Sequence, residues 1–260
     1  MDLGIAGKNA LVCASSKGLG RACAMSLARE GVNVWMNGRT QETLDSAVAD
    51  VRAQARGDVH SVCCDITSPE GRSAVLAAGA GKFDILVNNA GGPPPGDFRD
   101  WELSDWNAAL NANMLTPIEL IKATVDLMAE RGYGRIVNIT SSSVKAPIPT
   151  LGMSNGARAG LTGFVAGVAR QVAAQGVTIN GILPGPFNTD RLRSGIRFGA
   201  EKSGIDFETA FQQRAQTNPA KRFGDPAEFG ELCAYLCSQQ AGYINGQNVV
   251  IDGGAYPGTL

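Results

Sequence analysis

The sequence predicts an α/β protein built on a Rossmann-type, doubly wound parallel sheet of about seven strands, with helices on both faces. Three observations predict it. Short apolar or β-branched runs alternate with longer helical patterns along the 260 residues. Several of those runs, such as 83–87, are almost continuously apolar, as strands buried on both faces must be. No linker rich in Pro, Gly and Ser divides the chain and no internal repeat is present, so a single domain over 1–260 is expected.

The elements follow in order. Residues 9–13 form a buried strand, and 18–29, rich in Ala and Leu, a helix. Val- and Met-bearing 32–36 is a strand and 42–54 a helix. A strand over 59–64 leads to a helix that starts at Pro69, a residue preadapted to the first helical turn. The strand at 83–87 precedes a long helix over 105–130. A strand at 135–139, a helix at 154–174 and a strand at 177–182 come next. Residues 226–238 are helical, and 247–251 form the last strand. Between them lies an irregular insertion, roughly 190–225, holding Arg191, Arg193, Arg197, Lys202, Arg214, Lys221 and Arg222 against fewer acids. At a strand's C-terminal end it suits a lid over substrate, and a solvated helical hairpin equally well. Its cations hint at an acidic substrate.

Composition excludes several classes. A net charge of -1 leaves no basic face for nucleic acid. No run of 18 apolar residues exists to span a membrane. The start, Met1-Asp2-Leu3-Gly4, lacks a signal peptide's basic and apolar regions, so a cytoplasmic protein is expected. Cys13, Cys23, Cys63, Cys64, Cys233 and Cys237 sit in apolar segments without a Cys-x-x-Cys pair. With His60 the only histidine, buried reduced thiols are expected and no metal site.

Ala14-Ser15-Ser16-Lys17-Gly18-Leu19-Gly20 links the first strand to the first helix. Glycines there let the backbone approach a pyrophosphate, which the helix N-terminus meets with free N–H groups and positive potential. The second strand ends at Asn37-Gly38-Arg39-Thr40, without the acid that would hold a ribose 2′-hydroxyl. Arg39 and Lys17 suit a 2′-phosphate instead, which favours NADP(H) over NAD(H).

The remaining motifs make the chain resemble a short-chain dehydrogenase/reductase, similar to the 3-oxoacyl-acyl-carrier-protein reductases, from about Leu3 to Gly254. Asp65-Ile66 resembles the pair that touches adenine, and Asn88-Asn89-Ala90-Gly91 the family's motif after strand four. Trp106 and Asn113 match a tryptophan and a helix asparagine seven residues apart. Ser141 stands where the catalytic serine is delivered. The segment bearing Pro184, Gly185, Phe187 and Thr189 resembles the one that closes over nicotinamide. The resemblance implies a small-molecule carbonyl or alcohol substrate, such as 3-oxoacyl thioesters, sugars or cyclic ketones. It also implies a homo-oligomer, tetramer first and dimer second.

One departure from the family matters most. The resemblance places the catalytic tyrosine at Ser154 and its lysine, four residues on, at Arg158. A serine hydroxyl is a far weaker acid than a phenol of pKa ~10; Arg158 can still hold the cofactor's ribose and supply positive field, but an arginine does not give up its proton. Three readings stay open. Another group donates the proton: Lys145 on the loop after Ser141, or water ordered by Ser141 and Ser154. Alternatively the reaction is hydride addition to an activated C=C bond. Or catalysis is lost and the chain is a silent NADP(H)-binding module. Tyr133 is expected at the wrong end of the sheet, Tyr235 on a helix, Tyr243 before the last strand. Tyr256 is expected to reach a cleft only through assembly.

Overall fold

The computed structural model describes residues 1–259. Seven parallel strands form one sheet in the order β3-β2-β1-β4-β5-β6-β7. The strands are β1 (Asn9–Val12), β2 (Asn33–Gly38), β3 (Val59–Cys63), β4 (Ile85–Asn88), β5 (Gly134–Ile139), β6 (Val177–Pro184) and β7 (Asn248–Ile251). Connections run outward from β1 to β3, then return to β4 beside β1, so the order reverses between β1 and β4. That switch opens a crevice at the strands' C-terminal ends, where ligands bind in such sheets.

Alternation along the strands builds two cores. Ala10 and Val12 of β1 join Leu27, Val34 and Phe229 on one face. Leu11 and Cys13 join Phe83, Leu120, Met128 and Ile179 on the other. A strand's period of two sends successive side chains to opposite faces, and removing each large apolar side chain from water contributes about 1.5–3 kcal/mol. Helices cover both faces: α1 (Gly18–Arg29), α2 (Gln41–Arg52), α3 (Pro69–Ala78), α4 (Leu103–Leu110), α5 (Thr116–Glu130) and α6 (Gly152–Val172). Then come α7 (Asp190–Ser203), α8 (Phe207–Gln216) and α9 (Pro226–Leu236). The sheet, its strand count and both helical layers agree with the sequence expectation.

Three expectations need correction. The long helix over 105–130 is two helices, α4 and α5, joined by a π-helical turn at Asn111–Leu115. Pro117 has no N–H to return to the carbonyl one turn back, and the widened turn absorbs the mismatch. Cys63 is exposed and Cys64 half-buried, whereas the other four thiols are buried. Both follow from β3 being the sheet's edge, with a mostly open burial pattern. The insertion is regular: α7 and α8 pack together as a hairpin, each capped at its start, by Thr189 and Asp206. No group of three or more potential metal ligands exists among the described residues. Among them, no helix is long and apolar enough to cross a membrane.

Candidate active site and cofactor cradle

The turn between β1 and α1 begins at Ala14, which has φ 45° and donates its N–H to Asn37 Oδ1, at the end of β2, at 3.3 Å. The side chain of Asn89, just past β4, donates from Nδ2 to the Ala14 carbonyl at 3.2 Å. A methyl on Gly20 would lie 2.5 Å from that carbonyl and 2.8 Å from Asn89 Nδ2. Only glycine admits this approach. Gly18 has φ 55° and faces Thr189, whose Cγ2 would lie 3.6 Å from an added methyl. The first βα turn and the start of the α7–α8 hairpin therefore meet across the cradle. A cleft of about 570 Å³ runs from Ser16, Lys17 and Gly18 along α1 to Thr189 and Asp225.

Ser15 sits elsewhere than the motif suggested. It is fully buried, its hydroxyl donating to Val12 O at 2.8 Å and accepting from Asn37 N at 3.0 Å. Its side chain fastens β1 to β2 and is withdrawn from a ligand. Asn37 extends that stitching, donating from Nδ2 to Val62 O and Cys64 O, both at 3.1 Å. Sequence reading noted the missing acid beside it and did not foresee this structural role. Arg39 and Thr40 are exposed past β2, and Lys17 is exposed at the start of α1. Asp65 Oδ1 accepts from the backbone and the hydroxyl of Thr67, at 2.9 and 2.8 Å. Those bonds, more than the Arg39 charge, hold its carboxyl below the usual range. Ile66 beside it is buried.

Asn113 lies in the π-helical turn, buried, donating from Nδ2 to Gly91 O at 3.4 Å and to Ala109 O at 3.3 Å. Asn89 and Asn113 thus hold the Asn89-Ala90-Gly91 segment from both sides. Ser141 follows β5, and its hydroxyl accepts from Ser143 N at 3.1 Å. The turn after Ser141 and the π-helical turn both pack on α6.

On α6, Ser154 and Arg158 are buried, at 7% and 8% exposure. Arg158 donates from Nε to Ser154 Oγ at 3.2 Å and from Nη1 to Ile139 O, at the end of β5, at 2.7 Å. Burial first, and the charge of Arg191 second, push the Arg158 pKa down to about 10. Trp101 and Trp106, packed edge to face at 6.0 Å, press on Gly152 and Gly156 at either side of Ser154. Two residues from Ser154 in either direction, these glycines lie on the face of α6 turned away from it.

The other predicted residues fall around this cluster. Pro184 ends β6, and Gly185 donates its N–H to Ile251 O at 2.9 Å. Phe187 turns its ring into the core against Phe229, centroids 5.4 Å apart. Lys145 is half-buried, its Nζ 5.6 Å from the ring centroid of Tyr256. Tyr256 therefore reaches the loop after Ser141 within one chain, where an assembly had been expected to be required. The tail folds back because Asp252 accepts from the backbone N–H groups of Gly254, Ala255 and Tyr256. Tyr133 donates to Cys237 O at 2.8 Å, and burial pushes its phenol pKa up. Tyr235 lies on α9, and Tyr243 is fully exposed.

Fold, crevice and motif geometry together define a nucleotide-binding oxidoreductase architecture. The family model described as enoyl-(acyl carrier protein) reductase matches residues 13–256, and the chain belongs to the short-chain dehydrogenase/reductase family. It is 34% identical to the 3-oxoacyl-(acyl-carrier-protein) reductase FabG of Escherichia coli over 256 residues, 96% of this chain and 98% of that one. It superposes on L-sorbose reductase from Gluconobacter frateurii, solved with NADPH and L-sorbose, with a TM-score of 0.94 at 29% identity. That match covers 99% of this chain and 100% of the other. YwfH, an NADPH-dependent reductase involved in bacilysin biosynthesis, gives 0.90 at 28% identity, covering 97% and 100%.

Proposed function

We propose that the protein is an NADP(H)-dependent oxidoreductase that reduces a carbonyl, or oxidises the matching alcohol, with an atypical proton donor. The observation that carries the reading is the buried Ser154–Arg158 pair at the end of β5, beside a glycine cradle that a methyl group would fill. YwfH, an NADPH-dependent reductase, and L-sorbose reductase, solved with NADPH, support the cofactor. Bound NADPH supplies the hydride.

This chain's residues supply the rest. Ser16, Lys17, Gly18, Leu19 and Gly20 receive the pyrophosphate at the start of α1. Arg39 takes the 2′-phosphate, with Lys17 adding charge. Asp65 and Ile66 border the adenine; Ala90, Gly91, Pro184, Gly185 and Thr189 border the nicotinamide half. The hydroxyls of Ser141 and Ser154 each already accept a hydrogen bond, from Ser143 N and from Arg158 Nε. Each keeps its hydrogen to donate to a substrate oxygen. Asn113 holds Gly91.

A positioned acid is worth about 10²–10⁴ in rate. With the tyrosine replaced, the proton comes from Lys145 or from water held by the serines. A second reading has its own observation: Arg158 is a fixed cation behind Ser154, which stabilises an oxyanion without giving up a proton. That suits an enolate formed by hydride addition to an activated C=C bond. The α7–α8 hairpin acts as the lid, and the subunits assemble as a homotetramer.

NADPH consumption across ketones, diketones and enones tests the reading, with fluorescence titration of NADPH and NADH alongside. Ketone reduction is expected. Enone reduction alone moves the assignment to C=C bonds, and tight NADPH binding without any turnover makes the protein a silent binding module. Light scattering in solution checks the tetramer.

A further inference from the structure

Two guanidinium groups converge over Gly92 without an acid to neutralise either. A methyl on Gly92 would lie 2.9 Å from Arg191 Nη1 and 3.4 Å from Arg158 Nη2. Arg158 spends Nε and Nη1 on Ser154 and Ile139, which leaves Nη2 facing Gly92. Arg191, in the first turn of α7, donates from Nη2 to Pro93 O at 3.1 Å, tying the hairpin to the rim loop after β4, residues 91–96. Among the described residues, neither arginine has a carboxylate within 4.0 Å, the ion pairs being formed by Arg21, Arg99, Arg131 and Arg222.

Burying a cation without a counter-charge costs several kcal/mol. The depressed pKa of Arg158 records that cost and names Arg191 as the repelling neighbour. Four of the insertion's other six cations are engaged within it or beside it. Arg193 and Arg197 stack on Phe207, Lys202 lies over Phe198, and Arg222 pairs with Glu228. Arg191 is the one whose guanidinium meets that of Arg158.

The cofactor's own phosphates do not fill this space. The pyrophosphate belongs at the start of α1 and the 2′-phosphate at Arg39, past β1 and β2. Arg158 is anchored to β5, two strands beyond β1 and three beyond β2. At about 4.8 Å per strand, that is roughly 10–15 Å away.

We infer that the substrate carries an oxyanion, a carboxylate or a phosphate, clasped between Arg158 and Arg191 above Gly92. This rests on the reductase reading and specifies its substrate class. The anion replaces the missing counter-charge and bridges α6 to the hairpin, so the charged substrate draws the lid onto the rim loop. Guanidinium suits the task because it presents paired donors to two oxygens of one group.

Calorimetric titration of the NADP⁺-loaded protein with malonate, inorganic phosphate and neutral dimethyl malonate tests the inference. Malonate or phosphate is expected to bind and the diester not to, the stronger of the two anions identifying the source. Arg191→Gln should weaken anion binding about tenfold to hundredfold, the loss of one charge-assisted contact. Arg197→Gln, a charge removed elsewhere on α7, should bind as the unmodified protein does. Absence of anion binding, or equal weakening by both variants, overturns the proposal. Steady-state kinetics on a 2-oxo acid and its methyl ester separate it from the reading beneath it. Arg191-dependent anion binding without turnover sinks the reductase and leaves the anion site standing. Ester turnover equal to that of the acid sinks the anion site and leaves the reductase.

Discussion

Nε of Arg158 donates to Oγ of Ser154 at 3.2 Å, one helical turn back along α6. The four-residue spacing puts both on one face, and that face is buried against the end of β5 through the bond to Ile139 O. A hydroxyl that accepts from a permanent cation has its oxygen committed and its hydrogen outward. The pair keeps the four-residue spacing of the family's tyrosine and lysine and gives up the phenol's reach and acidity.

Arg158→Met should raise stability and abolish turnover. Holding the guanidinium costs the fold because burial and Arg191 depress its pKa to about 10, at about 1.4 kcal/mol per unit. The folded value lies below the unfolded one, so the cost is present in full below about pH 10. It is relieved as pH rises from there towards the unfolded value. Met removes the charge but leaves Ile139 O without its donor, which takes back about 1–3 kcal/mol. A net gain of about 1 kcal/mol, seen as a Tm rise of roughly 2–4 °C, is expected at any pH from 6 to 9. A fall in Tm across that range would show that the cation's bonds outweigh its desolvation.

Arg39→Ala should weaken NADPH binding about tenfold to hundredfold and change NADH binding little. Arg39 is exposed beyond β2, and its charge acts on Asp65. Charge-assisted bonds to a phosphate are worth about 1.5–3 kcal/mol. NADH lacks the 2′-phosphate, so the two titrations should diverge by that factor. Equal losses for both coenzymes would move the 2′-phosphate away from Arg39.

What the sequence disclosed follows from how local each signal is. The seven strands, the cradle and Asn88-Asn89-Ala90-Gly91 are contiguous runs whose chemistry is visible in one dimension. The Ser154–Arg158 spacing is equally local. The Arg158–Arg191 convergence is not, because 33 positions separate them and only the fold brings both to Gly92. Arg191 appeared merely as one of seven cations in an insertion, and nothing nearby marked it off from Arg193 or Arg197. The π-helical turn hid behind an unbroken helical pattern, with Pro117 its single clue. Ser15 and Phe187 matched motif positions whose side chains the fold turns inward. The fold over of Tyr256 depends on three backbone bonds to Asp252, which composition does not announce.

Gly20→Ala should destroy cofactor binding with only partial loss of stability. The added methyl would meet Ala14 O at 2.5 Å and Asn89 Nδ2 at 2.8 Å, both fixed by the bond between them. Overpacking at such a point costs about 1–3 kcal/mol, and the turn must shift away from the pyrophosphate position. A cooperative thermal transition with no measurable NADPH fluorescence enhancement is the expected pattern. Undiminished NADPH affinity would show that the turn is not the phosphate cradle.

Lys145→Met tests the source of the proton. Lys145 stands four residues after Ser141, half-buried, with its ammonium over the Tyr256 ring. A cation over an aromatic face gains about 0.5–1 kcal/mol at an exposed site, enough to bias the side chain towards the tail. If Lys145 delivers the proton that Ser154 cannot, turnover should fall by about 10²–10⁴, with NADPH affinity changed less than about twofold. Tyr256→Leu, which removes the aromatic face but not the ammonium, should lower turnover by much less. Full turnover in Lys145→Met would transfer the proton delivery to water held by Ser141 and Ser154, and a solvent isotope effect unchanged by the substitution would confirm that transfer.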